Sequence, residues 1–65
     1  MPMIQITMLA GRTAEQKRKL AERLTQVMVE EAGTVREAVT VAFHEVSEES
    51  YAVGGQLIAD RQRSS

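Results

Sequence analysis

The stretch that decides the fold is residues 13–33, TAEQKRKLAERLTQVMVEEAG. It opens with T-x-x-Q, a capping-box pattern in which Thr13 and Gln16 each satisfy a backbone N–H of the first helical turn. Apolar residues then recur at the spacing of one helical face, and Gly33 offers the left-handed conformation that commonly ends a helix. The pattern predicts a helix over Ala14–Ala32, with its mixed charges on a solvated face. The apolar face consists of Leu20, Leu24, Val27, Met28 and Ala32, with Ala21 beside it.

A strand is predicted on either side of this helix. Upstream, Met3–Leu9 (MIQITML) alternates between apolar and polar residues. Downstream, residues 39–46 (VTVAFHEV) are rich in β-branched side chains. Two strands joined through a long helix favour a parallel pair with a right-handed crossover. The expected class is α/β, a single β-α-β subunit whose helix covers one face of the strand pair.

The last segment predicts a small appendage to this unit. Gly54 and Gly55 form a two-glycine turn signal between the short apolar runs 51–53 and 57–58. We expect a short C-terminal hairpin, or an arm that reaches a neighbouring subunit. Residues 60–65 are polar and are predicted to be frayed, and residues 1–65 are expected to form one domain.

Chain length predicts self-association. A chain of 65 residues buries only about 60% of its unfolded surface, which leaves an isolated fold marginal. It has no cysteine, and no Cys/His cluster suggests a structural zinc, so two common supports of small folds are missing. We therefore expect the fold to be completed by oligomerisation.

Charge and hydropathy argue against two classes of partner, nucleic acids and membranes. Eight basic and nine acidic residues give a formal net charge of −1, which does not match the basic footprint of a nucleic-acid binder. The β-branched run at 39–46 also argues against a strand-helix-helix DNA-binding dimer. No apolar run approaches the roughly 20 residues that span a bilayer, and no secretory signal pattern is present. No nucleic-acid or membrane partner is predicted, and the expected location is the cytoplasm.

Two groups of residues then point to a family. They are P-x-x-Q-I-x-x-L-x-G-R-T-x-E-Q-K over residues 2–17 and H-E-V…Y-A-V-G-G over residues 44–55. Together they closely resemble the 4-oxalocrotonate tautomerase family, from residue 2 to about residue 58. The resemblance implies a β-α-β subunit that assembles, typically as a hexamer built from dimers. It also implies an amino-terminal proline that acts as a general base or acid on enols and dienols of 2-oxo acids.

The resemblance assigns four candidate site residues. The family's catalytic proline falls on Pro2, and its carboxylate-binding, electron-withdrawing arginine falls on Arg12. Its aromatic wall, usually Phe, falls on Tyr51, which keeps the ring and adds a hydroxyl. A second arginine, which in the best-known members reaches a neighbouring subunit's site, falls on Thr40. A dicarboxylate would thereby lose one charge-assisted clamp, with Arg36 or the Thr40 hydroxyl as candidates for partial compensation.

The expected chemistry starts from the amine that Pro2 would gain on removal of Met1. An N-terminal amine has a reference pKa of about 7.7 to 8.0. An apolar wall and a nearby guanidinium such as Arg12 both disfavour the protonated amine, so its pKa is expected to fall. The base takes the enol proton and returns it to carbon, while Arg12 stabilises the dienolate charge. The predicted function is a tautomerase, an isomerase that needs no cofactor or metal, acting on 2-hydroxydienoates or arylenolpyruvates.

Alternatives remain open at this point. With Met1 in place, Pro2 would be an amide nitrogen without basicity. Together with Thr40, this favours a second hypothesis, in which the chain is a non-catalytic or heteromeric subunit of the same fold. Tyr51 fits an interface as well as a site wall, and His44 is expected to be structural or exposed. The expected assembly is a homo-oligomer, a hexamer arranged as a trimer of dimers, with a dimer or trimer as alternatives.

Overall fold

The computed structural model describes residues 2–63. The elements are β1 (Met3–Leu9), α1 (Ala14–Ala32), β2 (Thr40–Val46), β3 (Ala52–Val53), β4 (Gln56–Leu57) and α2 (Ile58–Arg63), with short 3₁₀ turns at Arg36–Ala38 and Glu48–Ser50. The bounds predicted for β1 and α1 are confirmed. β2 begins one residue later than predicted, because the Val39 N–H donates to the Arg36 carbonyl at 3.1 Å and so belongs to the turn.

The two long strands form a parallel pair. Met3 lies opposite Thr40 at one end of the register, and Leu9 lies opposite Val46 at the other. One further hydrogen bond extends the ladder at its far end, from the Ala10 N–H to the Val46 carbonyl at 2.8 Å. The predicted β-α-β arrangement is confirmed.

The helix ends are built as the sequence predicts. The Gln16 N–H donates to Thr13 Oγ1 at 3.1 Å, and the Thr13 N–H donates to Gln16 Oε1 at 2.9 Å. Gly33 ends the helix with φ of 70°, a left-handed conformation that favours glycine. An ion pair between Lys17 and Glu45, 2.9 Å long, ties α1 to β2.

The apolar face of α1 is wider than the surface that covers it. Ala21, Leu24 and Met28 are half-buried, whereas Leu20 is 37% exposed and Val27 is 51% exposed. Two strands lie only about 5 Å apart, while a helix with its side chains is about 10 Å across. A two-stranded sheet is therefore too narrow to cover the whole predicted face.

The single chain has no buried core among the residues whose burial is described, 2–61. Met3 and Val35 are each 63% exposed, and Val53 is 47% exposed. The radius of gyration is 15.3 Å, against about 11 Å for a compact domain of this length. Apolar side chains in such an open shape remain in contact with water unless another chain covers them.

The C-terminal hairpin is present and continues into a helix. β3 and β4 pair antiparallel, with Gly54 and Gly55 both at positive φ, 63° and 85°, as a type I′ hairpin turn requires. The Ile58 N–H donates to the Tyr51 carbonyl at 2.9 Å, and α2 starts there.

The prediction that residues 60–65 are frayed is wrong for 60–63, which lie in α2. The segment contains no glycine or proline and is rich in helix-forming residues. Met1, Ser64 and Ser65 lie outside the described residues. Neither α1 nor α2, as far as the structure describes them, is long and apolar enough to cross a membrane.

Candidate active site

Pro2 and Thr40 meet at the end of the sheet where both long strands begin. The Thr40 N–H donates to the Pro2 carbonyl at 3.1 Å. Pro2 is half-buried, and Thr40 is exposed. The backbone of Pro2 is therefore fixed through its carbonyl, which leaves its ring nitrogen outside the ladder. Pro2, Thr40 and the adjoining turn Arg36–Ala38 are called the amino edge below.

Arg12 and Tyr51 follow the opposite ends of the two strands along the chain. Arg12 is two residues beyond Ala10, whose N–H bonds to the last residue of β2. Tyr51 follows the second 3₁₀ turn. Its backbone carbonyl accepts a hydrogen bond from the Ile58 N–H. The side chain of Arg12 is exposed, and Tyr51 is 36% exposed. These two residues are called the carboxyl edge.

One chain does not bring the four predicted site residues together. β1 is seven residues long, and at a rise of about 3.3 Å per residue its ends lie about 20 Å apart. That distance exceeds the Debye length of about 8 Å at physiological salt. The charge of Arg12 therefore has little electrostatic effect on Pro2 of the same chain.

Arg36, the candidate to replace the missing arginine at Thr40, is already engaged. Its Nη1 donates to Gln26 Oε1 at 2.7 Å, and its Nη2 donates to both carboxylate oxygens of Glu22, at 2.8 Å to Oε2. These contacts tie the turn before β2 to α1. The Thr40 hydroxyl, in contrast, makes no hydrogen bond within residues 2–63. Within residues 2–63 the amino edge thus offers a hydroxyl group and no unpaired cation.

A surface hollow of about 380 Å³ adjoins Arg12. Its lining comprises Arg12, Gln16, Lys19, Leu20 and Arg23. The charges of α1 are predicted to lie on a solvated face, and Lys19 and Arg23 are exposed as expected, but their grouping with Arg12 in one hollow was not predicted. The available signal was their spacing, because residues 16, 19, 20 and 23 share one helical face.

His44 lies away from both edges in the register of the sheet. It is opposite Thr7 and exposed, as predicted. In the part of the chain that the structure describes, no group of three His, Asp or Glu side chains is placed to hold a metal ion.

Comparison with known proteins places the chain in a family. The family model for tautomerase enzymes matches residues 2–61. A probable tautomerase of Bacillus cereus is 43% identical over 61 residues, which is 94% of this chain and 100% of the relative. The 2-hydroxymuconate tautomerase of Bacillus subtilis is 39% identical over 62 residues, which is 95% of this chain and 100% of the relative.

Solved structures agree. The crystal structure of TomN, a 4-oxalocrotonate tautomerase homologue of the tomaymycin biosynthetic pathway, is 41% identical and superposes with a TM-score of 0.91, covering 98% of this chain and 97% of that one. A heterohexamer 4-oxalocrotonate tautomerase from Chloroflexus aurantiacus is 33% identical with a TM-score of 0.88, covering 92% and 97%.

Proposed function

The chain belongs to the tautomerase family of isomerases, and on that premise we propose which reaction it performs and with which residues. The reaction is the enol–keto interconversion of small 2-oxo acids, of the 2-hydroxydienoate or arylenolpyruvate type, without a cofactor. The base is the amine of Pro2 after removal of Met1. The observation that carries the proposal is the placement of Pro2, which is half-buried and held by the hydrogen bond from Thr40.

The proposed proton transfer uses the ring nitrogen of Pro2. As a neutral secondary amine it accepts the proton of the enol hydroxyl, and as an ammonium group it returns a proton to a carbon of the conjugated chain. The hydrogen bond through the Pro2 carbonyl at 3.1 Å limits movement of the ring, so the nitrogen is positioned before the substrate arrives. Negative charge develops on the substrate oxygens during this transfer and needs a cation.

We assign that cation to Arg12 of a second chain. The amino and carboxyl edges of one chain lie about 20 Å apart along β1, so a site with both Pro2 and Arg12 combines edges of two copies. The absence of a buried core within residues 2–61 supports assembly, and a heterohexamer relative supports it further. The proposed assembly is a homo-oligomer, a hexamer as a trimer of dimers or a smaller dimer or trimer.

Two further residues complete the proposed site. The ring of Tyr51, 36% exposed at the carboxyl edge, would form an apolar wall that disfavours the protonated amine. The hydroxyl of Thr40, free of partners within residues 2–63, would donate to a carbonyl or carboxylate oxygen near Pro2. A neutral donor of this kind is weaker than a bidentate guanidinium, which favours substrates that carry no carboxylate at this end.

The proposal is tested by the pH–rate profile of phenylenolpyruvate ketonisation, with protein whose intact mass proves that Met1 is gone. The rate should rise with pH through the pKa of the Pro2 amine, because the neutral amine is the base. The same protein carrying an uncleaved Met1 should be inactive. A processed protein without activity above solvent, or a profile identical with and without Met1, would favour the non-catalytic hypothesis.

A further inference from the structure

The cations of the hollow beside Arg12 are not neutralised within the described chain. The side chains of Arg12, Lys19 and Arg23 make no ion pair or hydrogen bond within residues 2–63. The two carboxylates on this half of α1 are occupied elsewhere, Glu15 by Arg18 at 3.0 Å and Glu22 by Arg36. A chain of net charge −1 thus carries a local cluster of three unpaired positive charges.

The length, apolar surface and volume of the hollow suit a small-molecule ligand. From Gln16 to Arg23 it follows α1 for about 10 Å, at a rise of 1.5 Å per residue. Leu20, 37% exposed, supplies an apolar patch between the cations. The volume of about 380 Å³ is within the range of about 300–1,000 Å³ of small-molecule sites. A second hollow shares Lys19 and Arg23 and is also lined by Arg18 and Glu22.

We propose that this hollow is a subsite for a second acidic group of the substrate. The ligand class is an elongated enol or 2-oxo acid with one carboxylate at Arg12, an apolar middle over Leu20, and a distal carboxylate or similar anion at Lys19 and Arg23. The proposal rests on the proposed function for the role of Arg12 alone. It assigns Lys19 and Arg23 to specificity rather than to proton transfer.

The contrast with the amino edge supports this assignment. In the turn of the amino edge, the cation Arg36 is held by Glu22 and Gln26, and Thr40 offers only a hydroxyl. An additional negative charge on the substrate would therefore be poorly compensated there. Beside Arg12, two further guanidinium or ammonium groups stand unpaired, so the same charge gains charge-assisted hydrogen bonds.

Binding of unreactive analogues tests the subsite without turnover. Calorimetry compares 3-(4-carboxyphenyl)propanoate, a dianion, with 3-phenylpropanoate, the matched monoanion, on the assembled protein without Met1. The dianion should bind about 5- to 10-fold more tightly at low salt, and the preference should shrink at about 0.5 M NaCl, because the shorter Debye length at high salt screens exposed charges.

The double variant Lys19→Gln/Arg23→Gln should remove that preference and leave the monoanion's Kd within about 2-fold. Glutamine keeps the helix propensity of these exposed positions. The control Arg61→Gln removes one positive charge from α2, outside the hollow, and should preserve the preference. No preference in the parent protein, or the same preference in the double variant, overturns the proposal.

An activity arm separates this proposal from the proposed function. With phenylenolpyruvate and its para-carboxylate, the double variant should lower kcat/KM only for the para-carboxylate, by about 5-fold and through KM. If the parent turns over neither substrate but still prefers the dianionic analogue, the proposed function fails and the subsite stands. If both substrates react equally in parent and double variant, the subsite fails and the proposed function stands.

Discussion

The two ends of β1 differ in what they offer a substrate. At the amino edge, Pro2 is fixed by a backbone hydrogen bond and the nearby Arg36 is paired with Glu22. At the carboxyl edge, Arg12 is exposed and unpaired within residues 2–63. The amino edge is held by a backbone hydrogen bond and its cation is paired. The carboxyl edge carries an exposed, unpaired cation within residues 2–63. Neither edge combines Pro2 with a cation that is unpaired within residues 2–63, which supports the proposal that one active site takes its two edges from different chains.

The largest effect is expected at the amino edge. Pro2→Ala replaces the ring amine by a flexible primary amine and should lower kcat by about 10²-fold or more, since positioned general acid–base groups contribute about 10²–10⁴-fold. Stopped-flow ketonisation of phenylenolpyruvate measures it. Native mass spectrometry should show an unchanged assembly, and a kcat within 3-fold of the parent would show that Pro2 is not the base.

At the carboxyl edge, Arg12→Ala should lower kcat/KM by about 10²-fold, because a lost cation no longer stabilises the developing oxyanion. The matched variant Arg12→Lys keeps the charge and loses the bidentate geometry, so it should recover only part of the loss. Steady-state kinetics with phenylenolpyruvate measures kcat/KM for both Arg12 variants. Equal activity in the parent and in Arg12→Ala would show that Arg12 does not stabilise the developing negative charge.

Exposed apolar side chains beside Pro2 are expected to be covered when copies of the chain assemble. Met3 is 63% exposed in the single chain, and burial of such a side chain by a second copy is worth about 1.5–3 kcal/mol. Met3→Asp should therefore weaken assembly and lower the Tm in a concentration-dependent way. Sedimentation velocity at several protein concentrations measures the fractions of oligomer and of dissociated subunits. Glu31→Gln, on an exposed part of α1, is the control, and an undisturbed oligomer in Met3→Asp would mean that Met3 stays exposed.

The smallest effect is expected from the helix cap beside Arg12. Thr13→Ala removes the acceptor for the Gln16 N–H, 3.1 Å away, and should cost about 1 kcal/mol of stability. Thermal unfolding measures this loss, and Thr13→Ser should restore it. Because Thr13 adjoins Arg12 but carries no charge, kcat/KM should fall slightly while the pH profile of the Pro2 amine stays in place.

The main elements could be predicted because their signals are local. The capping box at Thr13 and Gln16, the alternation of β1 and the β-branched run of β2 each predict structure from neighbouring residues. Residues 60–63 of α2 are polar and carry no complete apolar period, so the sequence predicts fraying there instead of a helix. The wide apolar face of α1, with Leu20 and Val27 left exposed, shows a limit of periodicity, which does not indicate how much of a face a small sheet can cover.

The site was predicted less completely than the fold. Resemblance assigned Pro2, Arg12, Thr40 and Tyr51, but a list of residues does not indicate whether they meet in one chain. The register of β1 and β2 separates them into two edges. Lys19 and Arg23 were missed because their availability depends on where Glu15 and Glu22 are engaged, by Arg18 and Arg36. Such pairing over 14 residues of sequence, as between Glu22 and Arg36, is set by the tertiary structure.

The most direct test of the shared site is subunit complementation. Pro2→Ala and Arg12→Ala proteins, each nearly inactive, are unfolded together, refolded and assayed with phenylenolpyruvate. A mixed oligomer then contains sites that combine Pro2 from one chain with Arg12 from another. Activity should return to a substantial fraction of the parent, about a quarter for random pairing, since each site draws one residue from each of two chains. Activity no greater than the average of the two separately refolded variants would contradict it.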